Sequence, residues 1–236
     1  MNSGMLRAGQ AAVTPYALLV FACLVIAGCS DSQRFEFAGA RDDFCVPNEY
    51  LIDGPIWLTR DMAADNGGFA WRGCGTDYRG RCDIPGDVEG GTVGPRSTLR
   101  SHAWGDFRPH TNPWEVTRRA LDDRSYRLIA DGSGRSSRIL ATPTGSSPTG
   151  VFYWRIPAAG EPDLVATTPL LAECDGVNAK QSSDGAEVAF HCVRVVDVGD
   201  YALRYRFTSG SVSSAFIDEL DHRIIAGINK WRCPKR

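Results

Sequence analysis

From Tyr201 the chain alternates for eight residues: Tyr201, Leu203, Tyr205 and Phe207 fall on one side, Ala202, Arg204, Arg206 and Thr208 on the other. A period of two marks a half-buried antiparallel strand, with one face on the core and one in water. On this reading Arg204 and Arg206 point outward, either solvated or open to an acidic partner. "EVAFHCVRV" reads as the pairing strand across the turn Asp197-Val198-Gly199-Asp200. "SYRLIADGSGRSSRILAT" reads as a second hairpin around Asp131-Gly132-Ser133-Gly134. "VFYWRI" is a further strand, and "DLVATTPLLAEC" another that Pro169 interrupts. Nearer the N-terminus, "GGFAWRGC" places Phe69 and Trp71 on one side of a strand. "RFEFAGARDDFCVPNEYLI" suggests one or two more, with Pro47 confining the second to an edge or a strand end.

Two stretches change period. Around "EVTRRALDDRSYRLIA" a short helix is expected to start at Pro113, since proline favours the first helical position. At the C-terminus Ile217, Leu220, Ile224, Ile228 and Trp231 follow one helical face, and Asp218, Glu219, Asp221, Arg223, Asn229 and Lys230 fall off it. Ser213 or Ser214 can cap that helix. Between Arg81 and Pro113 the chain is rich in glycine and proline with no sustained period, which predicts an irregular loop over about 81–113. Strands in runs with one terminal helix predict an α+β fold, mainly antiparallel β in a sheet or sandwich, with a C-terminal amphipathic helix.

A different pattern opens the chain. Met1 to Pro15 carries Arg7 and no acid, and Tyr16 to Gly28 is a thirteen-residue apolar run. At about 1.5 Å per residue such a run falls short of the ~30 Å hydrocarbon core, so it reads as a cleaved secretory signal rather than an anchor. The run ends at Ile26-Ala27-Gly28-Cys29, which resembles the lipobox of bacterial lipoproteins, with isoleucine where leucine is most usual. The resemblance covers the signal alone. It implies that residues 1–28 are removed, that Cys29 is lipidated and acylated, and that 29–33 tether a single domain, 34–236, to a membrane. It also implies a place in the cell envelope, facing the periplasm. Ser30 stands where an aspartate would retain enteric lipoproteins at the inner membrane, which favours the outer one.

Cysteine count bears on the same point. Of eight cysteines Cys23 leaves with the signal, and lipid on Cys29 leaves an even set of six. Disulfides are expected in an oxidising envelope. Six cysteines allow fifteen connectivities; the one favoured starts from Cys174–Cys192, closing a polar loop between two strands, after which Cys74–Cys82 would close "GTDYRGR" and Cys45–Cys233 would join the ends of the domain. No C-x-x-C pair exists, which excludes the usual zinc-ribbon and thioredoxin-type motifs. The mature chain balances 25 basic against 28 acidic residues, so no nucleic-acid footprint is expected.

Chemistry is harder to find. There is no G-x-S-x-G, S-x-x-K or H-E-x-x-H motif, and no cofactor or metal is expected. The densest candidate is "SHAWGDFRPHTNPWE", which gathers His102, Trp104, Asp106, Arg108, His110 and Trp114. The plain reading is a loop packed down by its tryptophans with its polar groups in water; beside it, because aromatic residues and arginine are what binding hot spots favour, these residues are candidate contacts for a protein partner. His191, inside a strand, reads as a satisfied sheet residue, and His222 as solvated. The function expected is a non-enzymatic, membrane-anchored envelope lipoprotein presenting its β-rich domain to a protein partner, in an immunity or envelope-assembly role. The alternatives are an envelope hydrolase, or a small-molecule or glycan binder, using the 102–114 loop.

Overall fold

The computed structural model describes residues 32–36, 41–52, 68–74, 84–95, 112–131, 137–145, 147–165, 167–177 and 189–235. Its strands are β1 (Ser32–Phe35), β2 (Phe44–Pro47), β3 (Phe69–Arg72), β4 (Val88–Gly94), β5 (Arg127–Ala130), β6 (Ser137–Pro143), β7 (Gly150–Pro157), β8 (Leu170–Val177), β9 (Ala189–Asp197) and β10 (Ala202–Ser209). Its α-helices are α1 (Pro113–Asp122) and α2 (Ser214–Asn229). β1 and β2 pair as a ribbon, and the rest form one antiparallel sheet in the order β3-β4-β10-β9-β8-β7-β6-β5. All belong to one compact unit, Ser32–Arg236. The fold is α+β and mainly antiparallel, with the main strands in a single sheet.

Helices cover part of each face of that sheet. On one side α2 lays Ile217, Leu220, Ile224 and Ile228 against Tyr201, Leu203, Tyr205 and Phe207 in the main core. The alternating face of β10 and the apolar face of α2 are therefore partners, as their periods predict. Ser213 caps the helix, its Oγ accepting from Phe216 N at 3.2 Å, and the buried Asp131 carboxylate accepts from Ser214 N at 3.0 Å. On the other side α1 covers Leu140, Phe152, Trp154 and Ile156 with Trp114, Val116 and Leu121. Asn112 caps α1 and Pro113 opens it. The Trp154 indole donates to buried Thr117 Oγ1 at 2.9 Å, which pairs in turn with Thr142 Oγ1 at 2.9 Å.

Two expectations are corrected. The stretch 81–113 contains β4, which pairs with both β3 and β10. Its glycines hide it, because glycine disfavours strands in general. Here they are needed: a Cβ on Gly91 would lie 2.1 Å from Arg204 O and 2.8 Å from the Trp71 ring. β10 is not half-buried, since Arg204 is 2% exposed on the face opposite Tyr205. A strand in the middle of a sheet covered on both sides has no solvent face. The segment 29–33, expected as a tether, overlaps β1, in which Ser32 and Gln33 pair with Pro47 and Val46 of the ribbon.

Cys45–Cys233 and Cys174–Cys192 are both formed, as expected. The first fixes β2 to the segment after α2, where Cys45 N donates to Trp231 O at 2.6 Å and Cys233 N to Asp43 O at 2.8 Å. The second links directly opposed positions of β8 and β9. Cys74 is also disulfide-bonded, but Cys82, its expected partner, lies outside the described residues.

Beside the first bridge, Arg232 forks onto Asp200 at 3.1 Å through two nitrogens, and Arg41 N donates to Asp200 Oδ2 at 3.1 Å. Burial works to raise the Asp200 pKa, but Arg41 N–H and Arg232 outweigh it and hold the carboxyl below its ordinary 3.8. A depressed folded pKa means that the stabilisation is fully present above about pH 4 and disappears as acid brings the pH through the folded value. Asp200→Asn should cost about 1.5–3 kcal/mol at pH 7, the range for a hydrogen bond to a charged group, and less at pH 2.5. Urea midpoints of both proteins at the two pH values measure this, and a gap independent of pH would contradict it.

Candidate functional site

The sheet opens where β8 leaves β9. Their ladder runs from Val177↔Ala189 to Glu173↔Val193 and stops. Beyond it β8 follows β7 through a register shift at Tyr153/Trp154, and Leu170 pairs with Trp154. Arg194 reaches across the opening, its guanidinium donating to Leu170 O. The result is a groove of about 560 Å³ on the α1 side, lined by Trp114, Trp154, Leu170, Val195, Asp197 and Ala202, with Asn112, Thr167 and Thr168 at its rim. Size and lining suit a binding site, apolar with a few polar groups.

One wall is the first turn of α1. Asn112 Oδ1 accepts from Trp114 N at 3.1 Å, which holds the tryptophan at the helix entry. The Arg118 guanidinium lies over the Trp114 ring at 4.7 Å, a cation–π contact that fixes the indole from one side. Of the six candidate contact residues only Trp114 is placed, and it lines the groove. His102, Trp104, Asp106, Arg108 and His110 lie outside the described residues, as does Cys29.

The floor is held by a buried ionic cluster on the opposite, α2 face. Arg194 Nη2 meets Asp221 Oδ2 at 2.9 Å, and Tyr205 OH donates to Asp221 Oδ1 at 2.7 Å. Burial first, then the Asp221 charge, pushes the Tyr205 pKa far above its ordinary value, so the phenol stays a donor at all working pH values. Tyr201 is raised to about 12, mainly by burial, although Arg232 pulls the other way. Arg194 thus serves α2, through Asp221, and the groove, through Leu170 O, at once.

A polar row crosses the same face as the groove at the opposite end of the strands. His191 Nδ1 lies 2.9 Å from Glu89 Oε1, and Thr208 Oγ1 lies 3.0 Å from that oxygen and 3.4 Å from His191 Nδ1. A catalytic relay needs the acid and the hydroxyl on different ring nitrogens. Here both engage Nδ1, so the trio cannot pass a proton along a triad. His191 is a paired sheet residue, as its sequence context suggests. His222 is exposed on α2. Among the described residues no group of three or more histidine, cysteine or acidic side chains is placed to hold a metal.

Neither family models, curated proteins nor solved structures match the chain. The fold therefore lends no function by analogy, and the site has to carry the reading alone. Sequence reasoning missed the groove because it arises from the parting of two strands rather than from a motif. Its one local trace is Pro169, whose carbonyl accepts from Arg155 N at 3.0 Å just before β8 begins.

Proposed function

We propose that the protein is an envelope lipoprotein, held to a bacterial membrane by acyl chains on Cys29, that offers the groove beside Trp114 to a protein partner. The observation that carries the reading is the use of the body's cysteines: Cys45–Cys233 and Cys174–Cys192 are bridged and Cys74 is bonded as well. Disulfides persist in an oxidising compartment, which agrees with an export signal ending at Cys29. One chain binds a membrane reversibly, whereas two or three hold it stably, so a diacylated cysteine would keep the protein in place. The periplasmic face of the outer membrane remains the proposed address, from Ser30 after the cysteine.

Feeding cells an alkyne fatty acid and fractionating them tests this. The wild type should carry the label and sediment with membranes, and Cys29→Ala should lose the label and be absent from the acylated membrane pool. A labelled Cys29→Ala, or a bare Cys29 thiol in the wild type, would overturn the anchor. The two indoles at the groove also favour a second reading, a small-molecule or glycan binder. A shift of tryptophan fluorescence with a soluble ligand, abolished in Trp114→Ala, would support it over the protein partner.

A further inference from the structure

We propose that the body stands on its membrane by one pole, the sheet end carrying Arg72, Glu89 and His191, with the groove at the opposite end facing away from the bilayer. This rests on the lipidation of Cys29 proposed above. β1 begins at Ser32, three residues after Cys29. Three residues of fully extended chain reach about 10 Å, so Ser32 must stay within roughly that distance of the headgroups however the body tilts.

Ser32 can be located on the sheet. It pairs with Pro47, which leads into the 3-10 turn Asn48–Tyr50. Glu49 O in that turn accepts from Arg72 Nε at 2.8 Å, and Leu51 bridges to Trp71. Arg72 ends β3 and pairs with Gly90, which also faces Arg206 of β10. This is the end where β3 and β10 finish and β4 and β9 start, the end of the Glu89–His191–Thr208 trio. From there β1 runs the other way, bringing Phe35 to Phe69 at 4.9 Å between ring centres.

The groove lies at that other end. Ala202 opens β10, Asp197 closes β9 and Leu170 opens β8, and all three line it. An eight-residue strand is about 25 Å long, and the groove is displaced sideways by several strands as well. Its mouth is therefore on the order of 30 Å from the point of attachment, and with the body upright on the proposed pole it stands beyond the reach of a lipid that stays in the same leaflet. What enters the groove must come from the aqueous side: a soluble protein, or one projecting from an apposed surface.

Charge at the attached pole fits a body that rests on the bilayer without adhering to it. Among the described residues Glu49, Asp87 and Glu89 stand there with Arg72, Arg206 and His191, and such a mixed set of charges gains little from anionic headgroups. The acyl chains alone would hold it.

The test uses purified full-length mature protein in phosphatidylethanolamine/phosphatidylglycerol vesicles, with p-benzoylphenylalanine placed at Glu49 or at Thr167. Both positions are exposed, so the folded body should tolerate either. Irradiation should crosslink the Glu49 position to lipid at least tenfold more than the Thr167 position. Equal or reversed yields, or no lipid crosslink from either, would overturn the proposed pole. Mass spectrometry of the same preparation separates the two readings. A bare Cys29 defeats the lipoprotein reading itself, whereas lipidated protein with strong Thr167 crosslinks defeats only the orientation. Unlipidated Cys29→Ala protein should float with none of these vesicles, and its flotation would also overturn the proposal.

Discussion

Asp221→Ala is expected to cost about 3–5 kcal/mol of folding stability, the range for removing one partner of a buried ion pair. Asp221 and Arg194 side chains are each only 12% exposed, and their contact spans the boundary between α2 and β9. The substitution favours the helix locally, since alanine is the better helix former, but only by a fraction of a kcal/mol. Against that it leaves the Arg194 charge with Leu170 O as its remaining neutral acceptor, and Tyr205 OH without its 2.7 Å partner. Urea unfolding followed by tryptophan fluorescence measures the loss. The pair need not be a net gain over apolar side chains of similar size, because desolvation offsets most of the attraction. Replacing the three together, Arg194→Met, Tyr205→Phe and Asp221→Leu, should therefore recover most of the stability. If the triple variant is as weak as Asp221→Ala, the cost comes from lost packing and not from an orphaned charge. Because Arg194 also spans the floor of the groove, the triple variant should keep the fold while altering whatever the groove binds.

The same cluster shows why local patterns were legible and their consequences were not. Tyr201, Leu203, Tyr205 and Phe207 are all fully buried, and Ile217, Ile224 and Ile228 meet them as the periods of two and of three to four require. Side-chain period is a local property, so alternation reports which residues share a face. It does not report what covers the other face. Arg204 therefore reads as solvent-facing in the sequence, while in the fold it is 2% exposed. β4 was missed for the converse reason: Gly90 and Gly91 carry no side-chain pattern, and their value lies in letting the Trp71 and Arg204 backbones approach. The groove depends on where Glu173↔Val193 ends a ladder, a fact about two strands at once. From the candidate loop, Trp114 was the residue whose role could be placed, because a helix with an Asn112 cap holds it.

Removing the Cys45–Cys233 bridge is expected to cost more than removing Cys174–Cys192, about 5 against about 3 kcal/mol, values that the chain-entropy relation sets by the length of chain each bridge closes. The sequence separations are 188 and 18 residues. Paired alanine variants, unfolded in urea without reductant, compare the two directly. Equal costs, or a larger cost for the shorter loop, would show that local packing dominates over unfolded-state entropy. Position in the fold argues for the same order. Cys174 and Cys192 sit on strands already held by a full ladder, so β8 and β9 stay paired without the bond. The ribbon β1–β2 forms its own two-stranded sheet, tied to neighbouring segments by the isolated bridge Phe44↔Arg232, the contacts around Cys45 and ring packing from Phe35 and Phe44. Two-stranded ribbons are marginal by themselves. Without Cys45–Cys233 the ribbon should open ahead of the main sheet, and the amides of Arg34 and Val46 should exchange with solvent well before those of Leu203 and Tyr205. Under the anchoring proposed at Cys29, that ribbon would be the mechanical link between anchor and sheet, and its early opening would lengthen the connection and release the proposed pole from the membrane surface.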